Sequence, residues 1–432
     1  MNGQWQGRAV LDLQDNDETP ALPFKLKLAN RANILRCFRD GKEHTVSEVS
    51  QMTGISKITT MRAVQFFCEK NVLATGGKVY QHNSGGKYPE IFHLNICKNI
   101  LSITLWPGII CLTLTDFSGQ VLYRTENNSV DTHHVSVPEI EAVLKSELTG
   151  FFEASGADRD KIYGVALSTA GIIDYRNKRI RYNTQAPQWE KDVSILDPIR
   201  PFFREDTYFF LENGAKAMAR ALLNRPQASG KRALLITTTF GIGGSMIQDG
   251  RILNGRNSLI GEIGHMVVDA FDEEECTCGS RGCLERLVDI RRIRKRIREM
   301  EADPSSALAG MDPEQITTEM LFSLANSGDP AARKQVEYLA DCFAVALRNV
   351  SVTFDPEQVY FIGEYANAGS CFDERLKEKL KEFKYYGSGE PIETFYEQLT
   401  MLEMNQVGVT VAITDHFFRN PKLYEDETGS EL

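Results

Sequence analysis

What this chain lacks narrows its class first. No apolar run is long enough to cross a membrane: the most hydrophobic stretch, NILSITLWPGIICLTLT at residues 99–115, is broken by Asn99, Pro107, Gly108 and several threonines. It reads as two buried strands. The first 30 residues hold no apolar segment of the kind a signal peptide needs, so a cytoplasmic location is expected. In that reducing compartment the nine cysteines are not expected to form a disulfide framework, and a close cluster of them points to a metal. Compositional extremes are absent too: 42% hydrophobic and 25% charged residues are ordinary for a globular chain, and 432 residues allow two or three domains.

The charge is uneven. The net value is -10, yet residues 21–90 carry 11 Lys+Arg against 5 Asp+Glu, a balance of +6, which leaves -16 for the remainder. A basic segment on an acidic body suggests a nucleic-acid-binding module; chance fluctuation in a short window explains it equally well.

The pattern within that segment favours the module. RANILRCFRDG places Ile34, Leu35 and Phe38 at helical spacing and stops at Gly41. TVSEVSQMTGISKITTMRAVQFFCEKNVL then predicts two helices and a tight turn. The first runs Val46 to Met52, capped near Thr45 or Ser47, and Gly54 suits the left-handed turn residue. Ser56 is placed to cap the second helix, with Ile58, Met61, Val64 and Phe67 as its expected apolar stripe. Ser56, Lys57, Thr59, Thr60 and Arg62 are then the candidate DNA contacts of a helix-turn-helix, whose second helix enters the major groove. VLATGGKVYQHNSGGKYPEIFHLN alternates apolar residues around glycine-rich turns, as a winged hairpin does. A small helical packing unit without DNA contact is the alternative.

From residue 96 onward, strand-like and helix-like segments alternate, which predicts an α/β body in two lobes with a ligand cleft between them. TTTFGIGGSMIQDG sets Gly241, Gly243 and Gly244 after a buried strand, as either a phosphate-approaching loop or a hairpin turn. The segment HMVVDAFDEEECTCGSRGCLERL holds three cysteines within eight positions. His265, Cys276, Cys278 and Cys283 make a closed N/S donor set suited to structural Zn2+; free buried cysteines or a transient disulfide are the alternatives. RLVDIRRIRKRIREME predicts a basic helix with one packed face, its cations solvated or on DNA phosphate.

These residues carry a resemblance. GEIGHMVVDAFDEEECTCGSRGCLE and the preceding FGIGGSMIQDGRILNGRNSLI resemble the ROK family of repressors and sugar kinases, with Ser245 where Gly or Ala is usual. GGKYPEIFHLN resembles the wing of the family's repressor branch. The resemblance covers nearly the whole chain from about residue 25. It implies a multidomain chain: a possible N-terminal arm (1–20), an all-α/winged helix-turn-helix domain (21–95), and an actin-like body of two α/β lobes. The first lobe is residues 96–225 joined by a C-terminal helix near 403–418, the second 226–402 with the zinc site, and 419–432 form an acidic tail. It further implies a sugar pocket in which Glu262, His265 and Glu285 reach hydroxyls, with Asn213 and Gln185 beside them.

Against that pattern the chain departs at the kinase elements. Thr104 stands where the family's first phosphate loop has Asp, and Trp106-Pro107 replace its glycines. Gly214 stands where the family's general base, an Asp, follows the asparagine. Gly363 is followed by Glu364 and Tyr365 where consecutive glycines face adenosine, and Gln185 replaces a sugar-contacting Asn. These losses imply a regulator, a homodimer or possibly a tetramer on a roughly palindromic operator, rather than an enzyme. Its effector is a sugar, a sugar derivative, a non-sugar or none. An active sugar kinase and a module controlled by a protein partner are the competing readings.

Overall fold

The structure is a computed structural model that describes residues 22–78, 89–131, 134–183, 185–189, 191–223, 225–300, 303–382 and 390–425. The head comprises helices α1 (Leu22–Arg36), α2 (Val46–Thr53) and α3 (Lys57–Glu69) and strands β1 (His44–Thr45), β2 (Leu73–Lys78) and β3 (Glu90–Leu94). Thr45 and Glu48 close a capping box at the start of α2, and Gly54 ends it at φ +69°. The Ser56 hydroxyl accepts the amide of Thr59 at 3.2 Å to begin α3. The strands pair in the order β1-β3-β2, all antiparallel. The tip between β2 and β3, residues 79–88 with all of the GGKYP motif but Pro89, lies outside the described residues.

The buried face of α3 differs from the expected stripe. Thr60, Ala63, Val64, Phe66 and Phe67 are buried, whereas Ile58 and Met61 are 70% and 40% exposed. The reason is helical phase. Ile58 and Phe67 are nine residues apart, about 900° of rotation, so they point to opposite sides. Thr60, Ala63, Val64 and Phe67 follow the i, i+3, i+4, i+7 repeat that a single face requires.

The body contains two five-stranded sheets of the same plan. The first uses β4 (Asn99–Trp106), β5 (Ile109–Thr115), β6 (Val121–Asn127), β7 (Ile162–Thr169) and β10 (Tyr208–Asn213), ordered β10-β7-β4-β5-β6. The second uses β11 (Ala233–Thr238), β12 (Ile242–Gln248), β13 (Arg251–Ile252), β14 (Gln358–Gly363) and β15 (Glu393–Tyr396), ordered β13-β12-β11-β14-β15. Each is an antiparallel meander of three strands extended by two parallel ones. A small ribbon, β8 (Ile172–Asp174) with β9 (Arg179–Tyr182), completes the first lobe. The glycine-rich FGIGG segment therefore spans a hairpin: residues 239–241 make the turn, and Gly243 and Gly244 lie in β12, paired antiparallel with β11. The meander strands β4, β5 and β11 are buried on both faces, which explains their continuous apolar runs.

Helices cover the sheets. α4 (Val137–Ser155) packs on the first; α8 (Thr318–Asn326), α9 (Pro330–Thr353) and α10 (Gly369–Lys381) pack on the second. α5 (Gly214–Leu222) lies between the lobes: its Met218, Ala219 and Leu222 share a core with Trp106 of the first lobe and Leu235, Ile247 and Tyr360 of the second. α11 (Met401–Arg419) returns to the first lobe, and its Gly408 meets α5 so closely that an added Cβ would strike the Ala217 carbonyl. Asn405 donates to the Thr104 hydroxyl at 2.8 Å, filling the polar need of a buried strand position.

The segment expected to begin an acidic tail at 419 instead closes the head onto the body. Leu423 and Tyr424 are buried, Tyr424 meets Phe67 edge-on at 6.2 Å, and Arg31 donates to the Tyr424 carbonyl at 2.6 Å. Arg39 pairs with Asp415. Head, C-terminal helix and first lobe thus share one apolar core. Among the described residues no helix is long and apolar enough to cross a membrane.

Candidate functional site

The cysteine segment folds into a compact knuckle. Isolated bridges pair Val267 with Cys283 and Glu275 with Arg281, and the Cys276 amide donates to Ser280 O at 2.7 Å. These contacts gather His265, Cys276, Cys278 and Cys283 so that their donor atoms all lie within 4.8 Å of one another. Cys278 Sγ and Cys283 Sγ are 3.7 Å apart, and Cys276 Sγ is 3.6 Å from His265 Nδ1. A tetrahedral Zn2+ with ordinary bond lengths needs about 3.8 Å between thiolates and about 3.5 Å from thiolate to imidazole nitrogen. The donor set therefore fits such an ion. Burial, then the neighbouring thiols, push the Cys283 thiol up to about 12, the crowding that a bound dication reverses.

With Nδ1 of His265 turned to the cysteines, Nε2 is left for another partner. His265 and Glu262 share a short 3-10 turn, seated on β12 because Gly264 has no Cβ to strike the Ile242 carbonyl. Glu285 opens the short helix α6 (Leu284–Val288), and its Oε2 accepts the Ile242 amide at 2.7 Å. That carboxylate lies where a Cβ on Gly241 would be, and Gln185 Nε2 is 3.5 Å from the same point. Gly241, at φ +115°, thus lets the β11–β12 turn pass between Glu285 of the second lobe and Gln185 of the first. Burial pushes the Glu262 carboxyl up, with His265 and Lys216 pulling the other way.

Asn213 does mainly architectural work. Its Oδ1 accepts the amides of Ala215 and Lys216 at 3.0 and 3.4 Å, and its Nδ2 donates to Gly171 O at 2.9 Å. It caps α5 and ties it to the β7–β8 turn. Glu212 beside it is fully buried and taken by Arg220, at 3.0 Å from Nε and 2.7 Å from Nη2.

Gly214 and Trp106 fit one another. A Cβ on Gly214 would lie 3.0 Å from Nε1, 3.2 Å from Cε2 and 3.3 Å from Cζ2 of the indole. Trp106 is buried at the β4–β5 tip and reaches Phe240 of the opposite lobe at 6.3 Å. At the other glycine-poor position, Tyr365 is buried among Phe322, Phe343 and Phe372, and its amide donates to Thr238 at 3.0 Å. Lys216, which the sequence reading did not single out, is 3% exposed and stands near Glu262.

On the head, Lys57, Ile58, Met61, Arg62 and Gln65 are exposed along α3. Thr59 is half-buried, its hydroxyl 2.9 Å from that of Ser56. Thr60, expected among the DNA contacts, is fully buried, with its hydroxyl turned to Ile55 O at 3.5 Å; it is a core residue by helical phase. Lys57, Ile58, Met61 and Arg62 line one side of a groove of about 520 Å³ whose other side is Thr45, Ser47 and Glu90. The basic helix α7 (Ile290–Glu299) is less available. Arg291, Arg292, Arg294, Lys295 and Arg298 pair with Asp289, Asp272, Glu274 and Glu314, and Arg296 lies over the Tyr338 ring at 3.6 Å. Its apolar residues Ile290, Ile293 and Ile297 pack on the second lobe.

The two sheets of one plan, the cleft beside α5 and the N-terminal helices define a two-lobed, actin-like sugar-kinase body that carries an added head. The chain belongs to the ROK family: that family's model matches residues 109–402. It is 24% identical over 366 residues to the xylose repressor of Caldicellulosiruptor bescii, covering 83% of this chain and 87% of that protein. It is 30% identical over 234 residues to the glucokinase of Thermotoga maritima, covering 52% of this chain and 72% of the kinase. Among solved structures it resembles a ROK family transcriptional regulator homologous to the E. coli MLC protein, at TM-score 0.72 and 22% identity over 92% of this chain and 99% of that one.

Proposed function

We propose that the protein is a cytoplasmic DNA-binding transcriptional regulator, a repressor of sugar-metabolism or transport genes, whose kinase-like body senses an effector and does not phosphorylate it. The observation that carries this is the pairing of Gly214 with Trp106. The position of the expected base holds no side chain, and the indole occupies the space a Cβ would need. Glycine cannot take a proton from a substrate hydroxyl. The Trp106-Pro107 tip has one fewer free amide for phosphate. The similarity to a named repressor over 83% of this chain supports the same reading.

In this proposal the head spans 21–95 as a winged helix-turn-helix. Ser56, Lys57, Thr59 and Arg62 contact DNA together with the exposed Ile58, Met61 and Gln65, and Ile58 suits a thymine methyl. The lobes divide as 96–225 with the C-terminal helix, and 226–402. Gln185, Glu262, His265 and Glu285 read hydroxyls in the cleft while Asn213 holds α5 in place. His265, Cys276, Cys278 and Cys283 hold a structural Zn2+, which keeps His265 in one orientation. The chain acts as a homodimer, since two heads need half-sites about one helical turn apart.

Because the head shares its core with the first lobe, a change in lobe closure on ligand binding alters the separation of paired heads. The test is a band-shift at stated salt on DNA upstream of the protein's own gene, followed by footprinting across the genome. A protected, roughly palindromic site is expected. No protected site anywhere, with ADP release on a sugar panel, sinks the reading in favour of a kinase.

A further inference from the structure

Lys216 carries a demand that the rest of the chain does not meet. It lies in the first turn of α5, two residues after Gly214, and is 3% exposed. Among the described residues its ammonium makes no hydrogen bond and no ion pair; its one close neighbour is the Tyr175 ring, 5.2 Å from Nζ to the centroid. The two carboxylates whose fields reach it are Glu212 and Glu262. Glu212 is already engaged by Arg220, and Glu262 forms no ion pair with Lys216 within 4.0 Å. A buried cation left without a contact partner is unfavourable. The Tyr175 ring of the first lobe lies against the ammonium, Glu262 of the second lobe acts on it electrostatically, and α5 itself lies between the lobes.

We propose that this cleft takes a polyhydroxylated anion, a sugar acid or a phosphorylated sugar, whose charged group pairs with Lys216 while Glu262 and Glu285 accept its hydroxyls. The inference rests on the effector-sensing reading above and names the ligand class of that site. Two carboxylates alone suit a neutral polyol, because each accepts hydroxyl protons. Adding a buried ammonium at one end, next to the position emptied of its acid at Gly214, changes the charge that end prefers. A carboxylate or phosphate there makes a charge-assisted hydrogen bond in a site shielded from water, where such bonds are strongest. Burial also lowers the Lys216 pKa, so an arriving anion stabilises the charged form that the ligand-free cleft disfavours.

The test is calorimetric titration of the full-length, zinc-loaded protein. The probes are hexuronates, aldonates, hexose 6-phosphates, the neutral parent hexoses, and inorganic phosphate and acetate as bare anions. At least one anionic sugar is expected to bind about tenfold or more tighter than its neutral parent and tighter than either bare anion. The carboxylate and phosphate arms distinguish the two sources of charge. Lys216→Met is expected to erase the preference, and Lys216→Arg to keep part of it. Ligand-free Lys216→Met is expected to melt no lower than the parent, because it removes a buried unpaired charge. A neutral sugar bound as tightly as its acid or phosphate overturns the proposal. So does a preference that survives Lys216→Met, a marked fall in the melting point of that variant, or a panel in which nothing binds. Operator binding measured alongside separates these failures from failure of the regulator reading, which they leave standing.

Discussion

Replacing Gly214 with alanine tests whether Trp106 crowds the Cβ position of residue 214. Taken alone, the change favours the helix: removing glycine's backbone freedom contributes about 0.5–1 kcal/mol. The new Cβ, however, arrives 3.0–3.3 Å from three atoms of a buried indole. Overpacking of that kind costs about 1–3 kcal/mol. The net expectation is a loss of up to about 2.5 kcal/mol. In a Trp106→Ala background the indole is gone, and the same change is expected to stabilise by about 0.5–1 kcal/mol. The sign therefore reverses between backgrounds, with a coupling of about 1–3 kcal/mol. Trp106→Ala itself costs about 3–5 kcal/mol for a side chain this buried. Urea midpoints followed by circular dichroism on all four proteins give the cycle, provided the slope stays constant. Equal effects of Gly214→Ala in both backgrounds refute the reasoning, and with it the account of why the base position is closed.

Three further expectations concern the other sites. Cys278→Ser is expected to lower zinc content and melting temperature together, read by elemental analysis and calorimetry; loss of zinc at an unchanged melting point removes the bracing role. Arg62→Ala is expected to weaken operator binding and reduce the logarithmic salt slope by about two for the dimer, about one per head, whereas Thr60→Ala should lower stability and leave the slope alone. A Thr60→Ala protein with a reduced slope contradicts the buried placement. The backbone amide of Thr45, then its hydroxyl, hold the Glu48 carboxyl below its usual range. Its contribution to α2 is thus present above an unfolded value of about 4.3 and lost as pH falls through the lower folded value. The protection of amides at the start of α2, taken relative to the intrinsic exchange rate at each pH, should fall on acidification; Glu48→Gln should abolish that dependence, and Thr45→Val, which keeps the backbone amide, should only weaken it.

Much of the chemistry was legible in the linear order because it depends on short spacings. His265, Cys276, Cys278 and Cys283 form a donor set that could hold a metal by type and interval, and two local bridges lie within the segment that gathers them. Gly54 and Ser56 are a turn and a cap by local backbone need, and both serve so. The strands β4, β5, β7, β11 and β14 are largely apolar runs because both faces are covered, and the edge strand β10 shows as the apolar start YFFL. The half-exposed β6 and the short β8, β9, β13 and β15 lack that signal.

What the sequence by itself determined is a set of local patterns: two helices joined at a tight turn, a cysteine-histidine cluster, and a body with the segments of the ROK family. Only the tertiary structure decided which side chains face what. Thr60 is core and Ile58 is surface, a question of helical phase against a neighbouring helix rather than of residue type. Tyr424 belongs to the head's core, although 357 positions separate it from Phe67, because α11 carries the chain back across the first lobe. Trp106 closes the space at Gly214 only because β4 and α5 meet beside the cleft. Lys216 reads in sequence as one more surface lysine. Its meaning comes from burial and the absence of a contact partner among the described residues, which are properties of three-dimensional packing and leave no mark on spacing or composition.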